Sequence, residues 1–357
     1  MTVIPFGWRL ALHALCCISI VGAAGTARAT EAPATPAAYS IWVSNETTGE
    51  VLIIEEPEHR IVTRISVGPR PRGVTYAAGQ VFVAVTGSPS AAPNVDTSTL
   101  PPADKTADGI VVIDATSREI TRVLRVASDP EIIAVNHTAS ELYVASEDTG
   151  QVIAADPRTG RIIAHVNVGA EPEGAALSPN GRLALTASEA EGTVSFIDTK
   201  RHRVLSTLKV GQRPRGVCFS KDGRRAYVAV ESSGTVVALD VLTRRVLMTR
   251  TLGEGARPMT VVPSPDDARV YVSTGRGKTV MALNAADLAI QGSVDVGIRP
   301  WGIALSPDGR TLYAANGPSG TVSVIDTSHF TVTATITTGG QPWGAALVPG
   351  SPAVSSH

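Results

Sequence analysis

The stretch VGQRPRGVCFSKDG, residues 210–223, decides the fold, because variants of it recur along the whole chain. Each variant places a proline ahead of a short apolar run that ends at a polar turn, as in EPEGAALSPNG and RPWGIALSPDG. The seven turn prolines are Pro71, Pro130, Pro172, Pro214, Pro258, Pro300 and Pro342. Their successive spacings of 59, 42, 42, 44, 42 and 42 residues define a repeat of about 42 residues.

Each repeat contains four short apolar runs separated by turn residues. In the repeat that begins at Pro214 the runs are RGVCF, AYVAV, GTVVALD and RVLMTRT. Runs of this length with alternating apolar residues are typical of β-strands. Four antiparallel strands per repeat and seven repeats predict an all-β, seven-bladed β-propeller. No stretch shows a sustained period of 3.6 residues, which excludes a helical solenoid.

The two ends of the repeat array complement each other. The N-terminal runs YSIWVSN, EVLIIEE and HRIVTRISVG are a second, third and fourth strand without a first. The C-terminal run QPWGAALVP is a first strand without successors. We therefore expect these runs to pair into a seventh blade that closes the ring and leaves no open sheet edge. The propeller is expected to span residues 39–349.

The first 29 residues have the features of an export signal. The apolar run LALHALCCISIVGAAG follows Arg9, and Ala27-Arg28-Ala29 offers small residues for cleavage after Ala29. The run is about 16 residues, which is short for a membrane span, although an uncleaved anchor is the alternative. Residues 30–38 and 350–357 are expected to be a disordered linker and tail. The sequence thus predicts a periplasmic or secreted monomer with no membrane span after cleavage.

Composition excludes several classes of protein. Lysine and arginine number 31 against 32 aspartates and glutamates, so there is no overall attraction to nucleic acid. Cys16 and Cys17 leave with the signal, and Cys218 is then the one remaining cysteine, in an apolar strand pattern. A disulfide within the chain, a cysteine-rich zinc site and a C-x-x-C-H haem site are therefore not expected.

The repeats LYVASEDTGQVIAADPRTGRIIAHVNVGAEPEGAALSPNG and LYAANGPSGTVSVIDTSHFTVTATITTGGQPWGAAL resemble the YVTN family of β-propellers. The order of their turns is similar to a branch of that family associated with pyrroloquinoline quinone (PQQ)-dependent alcohol catabolism. The resemblance spans residues 39–349. It implies a non-enzymatic binding or accessory protein that acts beside PQQ-dependent alcohol oxidation or its transport system.

One departure from the repeat is an insertion at residues 86–108, TGSPSAAPNVDTSTLPPADKTAD. It separates the second and third strands of blade 1, the blade that begins at Pro71. In a propeller these loops share one face with the proline turns, so the insertion is expected on the Pro-turn face. Its composition is unsuited to a core of its own. It is either a tolerated surface insertion or a functional lid.

The residues that flank the turn prolines vary from blade to blade and are expected to surround the channel mouth. From blade 1 to blade 7 they are Arg70 and Arg72, Asp129 and Glu131, Glu171 and Glu173, Arg213 and Arg215, Arg257 and Met259, Arg299 and Trp301, and Gln341 and Trp343. Two interpretations stay open. The charges form a ring of ion pairs with tryptophans packed between blades, or the arginines and tryptophans bind an anionic, ring-containing ligand or a partner protein.

Motifs of known enzymes and cofactor sites are absent. The histidines of the mature chain do not fall in the Pro-turn loops, so no haem or histidine-bound metal is expected there, and no cofactor is predicted, PQQ included. A lactonase-like hydrolase is one alternative, because Glu46, Glu147, Glu189 and Glu231 occupy equivalent positions after second strands and could bind a hard cation. A propeller that binds nucleic acid or a cell surface is another, although acidic residues share the same mouth.

Overall fold

The computed structural model describes residues 39–89 and 99–350, and these residues confirm the predicted propeller. They form 28 strands in seven four-stranded antiparallel sheets. The predicted export signal, the linker, the centre of the insertion (90–98) and the tail from residue 351 lie outside the described residues.

Each blade runs from an inner strand at the channel to an outer strand at the rim. Blades 1–3 are β4 (Pro71–Ala77), β5 (Gln80–Val85), β6 (Gly109–Asp114) and β7 (Ile120–Leu124); β8 (Pro130–Val135), β9 (Leu142–Ser146), β10 (Gln151–Ala155) and β11 (Ile162–Asn167); β12 (Pro172–Leu177), β13 (Leu183–Ser188), β14 (Thr193–Asp198) and β15 (Arg203–Lys209). Blades 4–6 are β16 (Pro214–Phe219), β17 (Arg225–Val230), β18 (Thr235–Asp240) and β19 (Arg245–Thr251); β20 (Pro258–Pro263), β21 (Arg269–Thr274), β22 (Thr279–Asn284) and β23 (Ile290–Asp295); β24 (Pro300–Leu305), β25 (Thr311–Asn316), β26 (Thr321–Asp326) and β27 (Thr331–Thr337). Blade 7 is β28 (Pro342–Pro349), β1 (Tyr39–Asn45), β2 (Glu50–Glu55) and β3 (Arg60–Ser66).

Blade 7 closes the ring as the sequence predicts. The C-terminal β28 pairs antiparallel with β1, with Ile41 opposite Leu347 and Trp42 opposite Ala346. Strands β2 and β3 follow β1 outwards in the same sheet. The two ends of the propeller are therefore held together by main-chain hydrogen bonds.

The hydrophobic core lies between neighbouring blades. Phe82 and Ile110 of blade 1, for example, belong to one buried cluster with Leu142 and Ile153 of blade 2. Second and third strands are buried on both faces, whereas outer strands such as β19 are mostly exposed. Each blade thus covers the apolar face of the next, which a blade on its own could not do.

Glycines let the inner strands approach one another at the channel. A Cβ added to Gly216 would lie 2.5 Å from the carbonyl oxygen of Met259 in the next blade, and one on Gly302 would lie 2.6 Å from that of Trp343. The Pro-x-Gly sequence of the turns therefore serves the packing of the channel wall.

Helix is almost absent from the described residues, which include a short 3-10 turn at Glu147–Thr149. Over these residues no helix has the length and apolar character needed to cross a membrane.

Candidate functional site

Three positions of the repeat supply most of the wall of a cavity at the Pro-turn end of the channel, here called the mouth. They are the residue before the turn proline, the residue after it, and the first residue after the second strand. In each blade the main-chain N–H of the third position donates to the carbonyl of the first, as from Glu189 to Glu171 at 2.8 Å and from Glu231 to Arg213 at 2.8 Å. This repeated bond holds the variable side chains side by side.

The mouth has a volume of about 1190 Å³. Its wall includes sixteen of the eighteen residues singled out in the sequence, all but Met259 and Trp343, namely Glu46, Arg70, Arg72, Asp129, Glu131, Glu147, Glu171, Glu173, Glu189, Arg213, Arg215, Glu231, Arg257, Arg299, Trp301 and Gln341. The sequence therefore identifies most of the wall, because the loops that share a face follow from the repeat.

An ion-pair network joins blades 7, 1 and 2. Arg72 is buried and bridges two glutamates, with Nη1 3.1 Å from Glu46 Oε1 and Nη2 2.6 Å from Glu131 Oε2. Arg70 Nε donates to the same Glu46 oxygen at 2.9 Å. Burial would raise the pKa of Glu46, but the charges of Arg72 and Arg70 outweigh it and lower that pKa. The Glu46 carboxylate is thus held ionised.

A second network joins blades 3 and 4. Arg215 contacts Glu173, and its other nitrogens lie 3.1 Å from Glu189 Oε2 and 2.9 Å from Glu231 Oε2. Arg213 contacts Glu189. Burial disfavours the Arg215 charge, yet the three carboxylates around it raise its pKa above the ordinary value. These contacts agree with the predicted ring of ion pairs for this part of the mouth.

An acidic cluster lies between the two networks. Carboxylate oxygens of Asp129, Glu131 and Glu147 lie within 4.8 Å of one another. Burial, reinforced by the charges of Glu173, Glu131 and Asp129, raises the pKa of Glu147 to about 9. The Glu147 carboxyl therefore holds its proton at neutral pH when no cation is near.

The four glutamates predicted as cation ligands are not gathered into one group. Glu46, Glu189 and Glu231 are engaged by arginines of the two networks. Glu147 alone joins a carboxylate cluster, and its neighbours there are Asp129 and Glu131. The repeat makes these glutamates equivalent in the backbone, but the adjacent blade decides what each one contacts.

The described parts of the insertion fold against the acidic cluster. Lys105 Nζ lies 2.5 Å from Asp148 Oδ2 and 3.8 Å from Asp129 Oδ2. Ser88 Oγ donates to Asp129 at 2.7 Å, and the Ser88 carbonyl accepts from Arg70 at 2.6 Å. Leu100, Pro101, Pro102 and Ala103 also line the mouth. The insertion therefore builds part of the wall of the mouth.

The remaining side of the mouth, in blades 5 and 6, is basic and aromatic. The Arg299 guanidinium lies 4.8 Å from the ring centroid of Trp301. Arg257 Nη1 donates to Ser232 Oγ at 3.1 Å. Arg276, in the loop after β21, lines the same side. That residue was missed in the sequence because GRGK at 275–278 has the composition of a solvated turn.

Trp343 lies deeper than the sequence suggests. Its side chain is buried and belongs to the wall of a small inner cavity of about 40 Å³ below the mouth. Its ring centroid is 5.5 Å from that of Trp301 and 4.3 Å from the Arg72 guanidinium. Trp343 therefore supports Trp301 and Arg72, and Trp301 is the tryptophan that faces the mouth.

Backbone conformation at the mouth follows from the turn. Arg70, Asp129, Glu171, Arg213 and Arg299, each directly before a turn proline, have φ between 41° and 56°. This region is unfavourable for residues with a Cβ. Similar φ values occur at His59, His202 and Phe330 on the opposite face, so the strain is common to turns on both faces of this propeller.

Other reactive groups lie away from the mouth. Cys218 packs beside the core between blades 4 and 5, and burial raises its pKa to about 12. His165 lies in β11, beside a separate groove at the outer part of blades 1 and 2. Among the described residues no histidine lines the mouth.

Comparison with known proteins agrees with the fold. A family model described as "Lactonase, 7-bladed beta-propeller" matches residues 200–338, less than half of the chain. Hydrazine synthase of Kuenenia stuttgartiensis is a similar solved structure, with a TM-score of 0.66 and 19% identity over 77% of this chain and 89% of that one. A search of curated proteins returned no match. The chain is a seven-bladed β-propeller that is similar to these proteins in fold.

Proposed function

We propose that this protein is an exported binding protein that takes an anionic small molecule in the mouth. The observation that carries the proposal is the convergence of the variable positions. The strands and the turns of the opposite face repeat with little change, whereas the residues around the turn prolines differ between blades and line one cavity of about 1190 Å³. Polar groups gathered in one large concave site are typical of ligand binding.

Arginine and tryptophan on one side of the mouth favour an anion with a flat or apolar part. A guanidinium matches carboxylate and phosphate oxygens in pairs, and Trp301 offers an aromatic surface. The resemblance to YVTN propellers supports an accessory role beside PQQ-dependent alcohol oxidation or its transport system. The ligand would then be a substrate or product of that oxidation, and carboxylic acids are among its products.

Thermal stability in the presence of candidate ligands tests the proposal. Purified mature protein is heated with a panel of alcohols, aldehydes, carboxylic acids and PQQ, and Tm is recorded for the wild type, Trp301→Ala and Arg310→Gln. Arg310 is exposed on the opposite face of blade 6 and serves as the control. We expect carboxylates to raise Tm of the wild type and of Arg310→Gln, but not of Trp301→Ala. No response, or an equal response in all three proteins, contradicts the proposal.

Lactone hydrolysis is a second candidate function, favoured by the partial match to the lactonase family. Asp129, Glu131 and Glu147 supply the oxygen donors that a hard divalent cation prefers. A cation bound there would polarise a lactone carbonyl. Turnover of lactones that needs a divalent cation and is lost in Glu147→Gln would favour this function, and absence of turnover with any added cation would dismiss it.

A further inference from the structure

Three arginines in blades 5 and 6 lack the carboxylate partners that the other arginines of the mouth have. Arg257, Arg276 and Arg299 all line the mouth. Within residues 39–89 and 99–350, no aspartate or glutamate oxygen lies within 4.0 Å of their guanidinium nitrogens. Arg70, Arg72, Arg213 and Arg215 each have at least one such contact.

Arg299 is partly buried and has other positively charged side chains near it. Its pKa is lowered, first by burial and then by the positive charges of Arg215 and Arg276, although Glu231 and Glu46 act in the opposite direction. The pKa of the paired Arg215 is raised instead. An anion placed between Arg299 and Arg276 would supply the missing negative charge.

Two of the three arginines are positioned by their neighbours. Arg299 lies over Trp301, which Gly317 allows to approach, since a Cβ on Gly317 would be 3.3 Å from Trp301 Cδ1. Arg257 is tied to Ser232. A guanidinium held in place loses less freedom when it binds an oxyanion.

We propose that Arg257, Arg276 and Arg299, with Trp301, form a subsite for a multiply charged oxyanion, which is either a set of carboxylates or a phosphate group carried by one small molecule. This inference rests on the proposed function and specifies the ligand of the same mouth. Three guanidinium groups without a carboxylate partner among the described residues favour a multiply charged anion over a monoanion, because each guanidinium can donate two hydrogen bonds to oxyanion oxygens.

Calorimetric titration tests the subsite with citrate, inorganic phosphate and acetate at equal low ionic strength. The proteins are the wild type, Arg276→Gln, Arg299→Gln and the opposite-face control Arg310→Gln. We expect citrate or phosphate to bind at least ten-fold more tightly than acetate. Each mouth variant should weaken that binding about ten-fold, and the control should leave it unchanged. Tighter binding of citrate assigns a polycarboxylate, and tighter binding of phosphate assigns a phosphate ester.

Two results would overturn the inference. One is the absence of citrate and phosphate binding, and the other is an affinity that Arg276→Gln and Arg299→Gln change no more than Arg310→Gln does. If a compound from the thermal panel still raises Tm through Trp301, the proposed function survives without the polyanion. If no compound raises Tm through Trp301, both the proposed function and the polyanion subsite are refuted.

Discussion

Arginines at the same position of the repeat have different partners on the two sides of the mouth. Arg70 and Arg213 precede turn prolines, and each contacts a glutamate of the preceding blade, Glu46 or Glu189. Arg299 occupies the equivalent position, but the preceding blade offers Gly275 there. A pre-proline arginine is therefore paired where the preceding blade supplies a glutamate after its second strand.

Arg257 shows the limit of this rule. The preceding blade supplies Glu231, but that carboxylate lies 2.9 Å from Arg215 Nε, and Arg257 contacts Ser232 instead. The comparison indicates that the same repeated turn presents arginines in two different environments. In blades 1 and 4 its arginines form ion pairs with glutamates of the same or neighbouring blades, whereas in blades 5 and 6 they belong to the subsite that we propose for a ligand.

The largest effect is expected from breaking a network. Arg215→Ala would leave Glu173, Glu189 and Glu231 close together without their shared cation, which costs about 3–5 kcal/mol in the free energy of unfolding. Arg299→Gln removes no ion pair and should change that free energy by less than about 1 kcal/mol. Urea denaturation of both variants measures the difference, and equal losses would refute the distinction between the two sides.

Glu46 is expected to stabilise the fold when it is ionised. Glu46→Gln removes a charge held by Arg70 and Arg72 and should cost about 2 kcal/mol at pH 7. Because the pKa of Glu46 is lowered in the folded protein, its contribution is present above the unfolded value and is lost as pH falls through the folded value. The difference in free energy of unfolding between Glu46→Gln and the wild type should therefore decrease below pH 4.5. A difference that stays constant with pH would contradict this account.

Glu147, at the equivalent position of blade 2, is expected to behave in the opposite way. Its pKa is raised to about 9, so the folded protein binds a proton that the unfolded chain releases, and stability falls as pH rises from about 4.5 to 9. Glu147→Gln should flatten this slope and stabilise the protein by about 1 kcal/mol at pH 9. Thermal unfolding of both proteins between pH 5 and 9 measures this dependence of stability on pH. A variant that is less stable than the wild type at pH 9 would be inconsistent with the raised pKa.

The smallest effect is expected from relief of backbone strain. Glu171 is exposed and has φ of 54°. Glu171→Gly should therefore raise the free energy of unfolding by up to about 1 kcal/mol, because glycine adopts this conformation without a Cβ clash. The control Glu171→Ala keeps the clash and should give no gain, and stabilisation of both variants to the same extent would assign the effect to the lost charge.

The ring could be predicted from the sequence because the turn proline and its spacing recur seven times, and the ends fit as one blade. The wall of the mouth followed from loop topology. The contacts within the mouth could not be predicted in this way. Arg72 contacts Glu46 and Glu131, which belong to two other blades, and the distances between these side chains depend on how the blades pack. Arg276 was missed because its loop resembles an ordinary turn, and the depth of Trp343 depends on its packing against Trp301.

The most direct test of the comparison is to place a glutamate at residue 275, where it would be the carboxylate partner that Arg299 lacks among the described residues. A Cβ at residue 275 would lie 3.1 Å from Met259 Cγ and 3.4 Å from the Arg257 carbonyl oxygen. Gly275→Glu and the neutral control Gly275→Gln are matched in size and meet the same contacts. If the arginines of blades 5 and 6 bind a polyanion, Gly275→Glu should weaken citrate or phosphate binding at least ten-fold relative to Gly275→Gln, with both variants folded. Equal affinities in the two variants would contradict the assignment of this side of the mouth to a ligand.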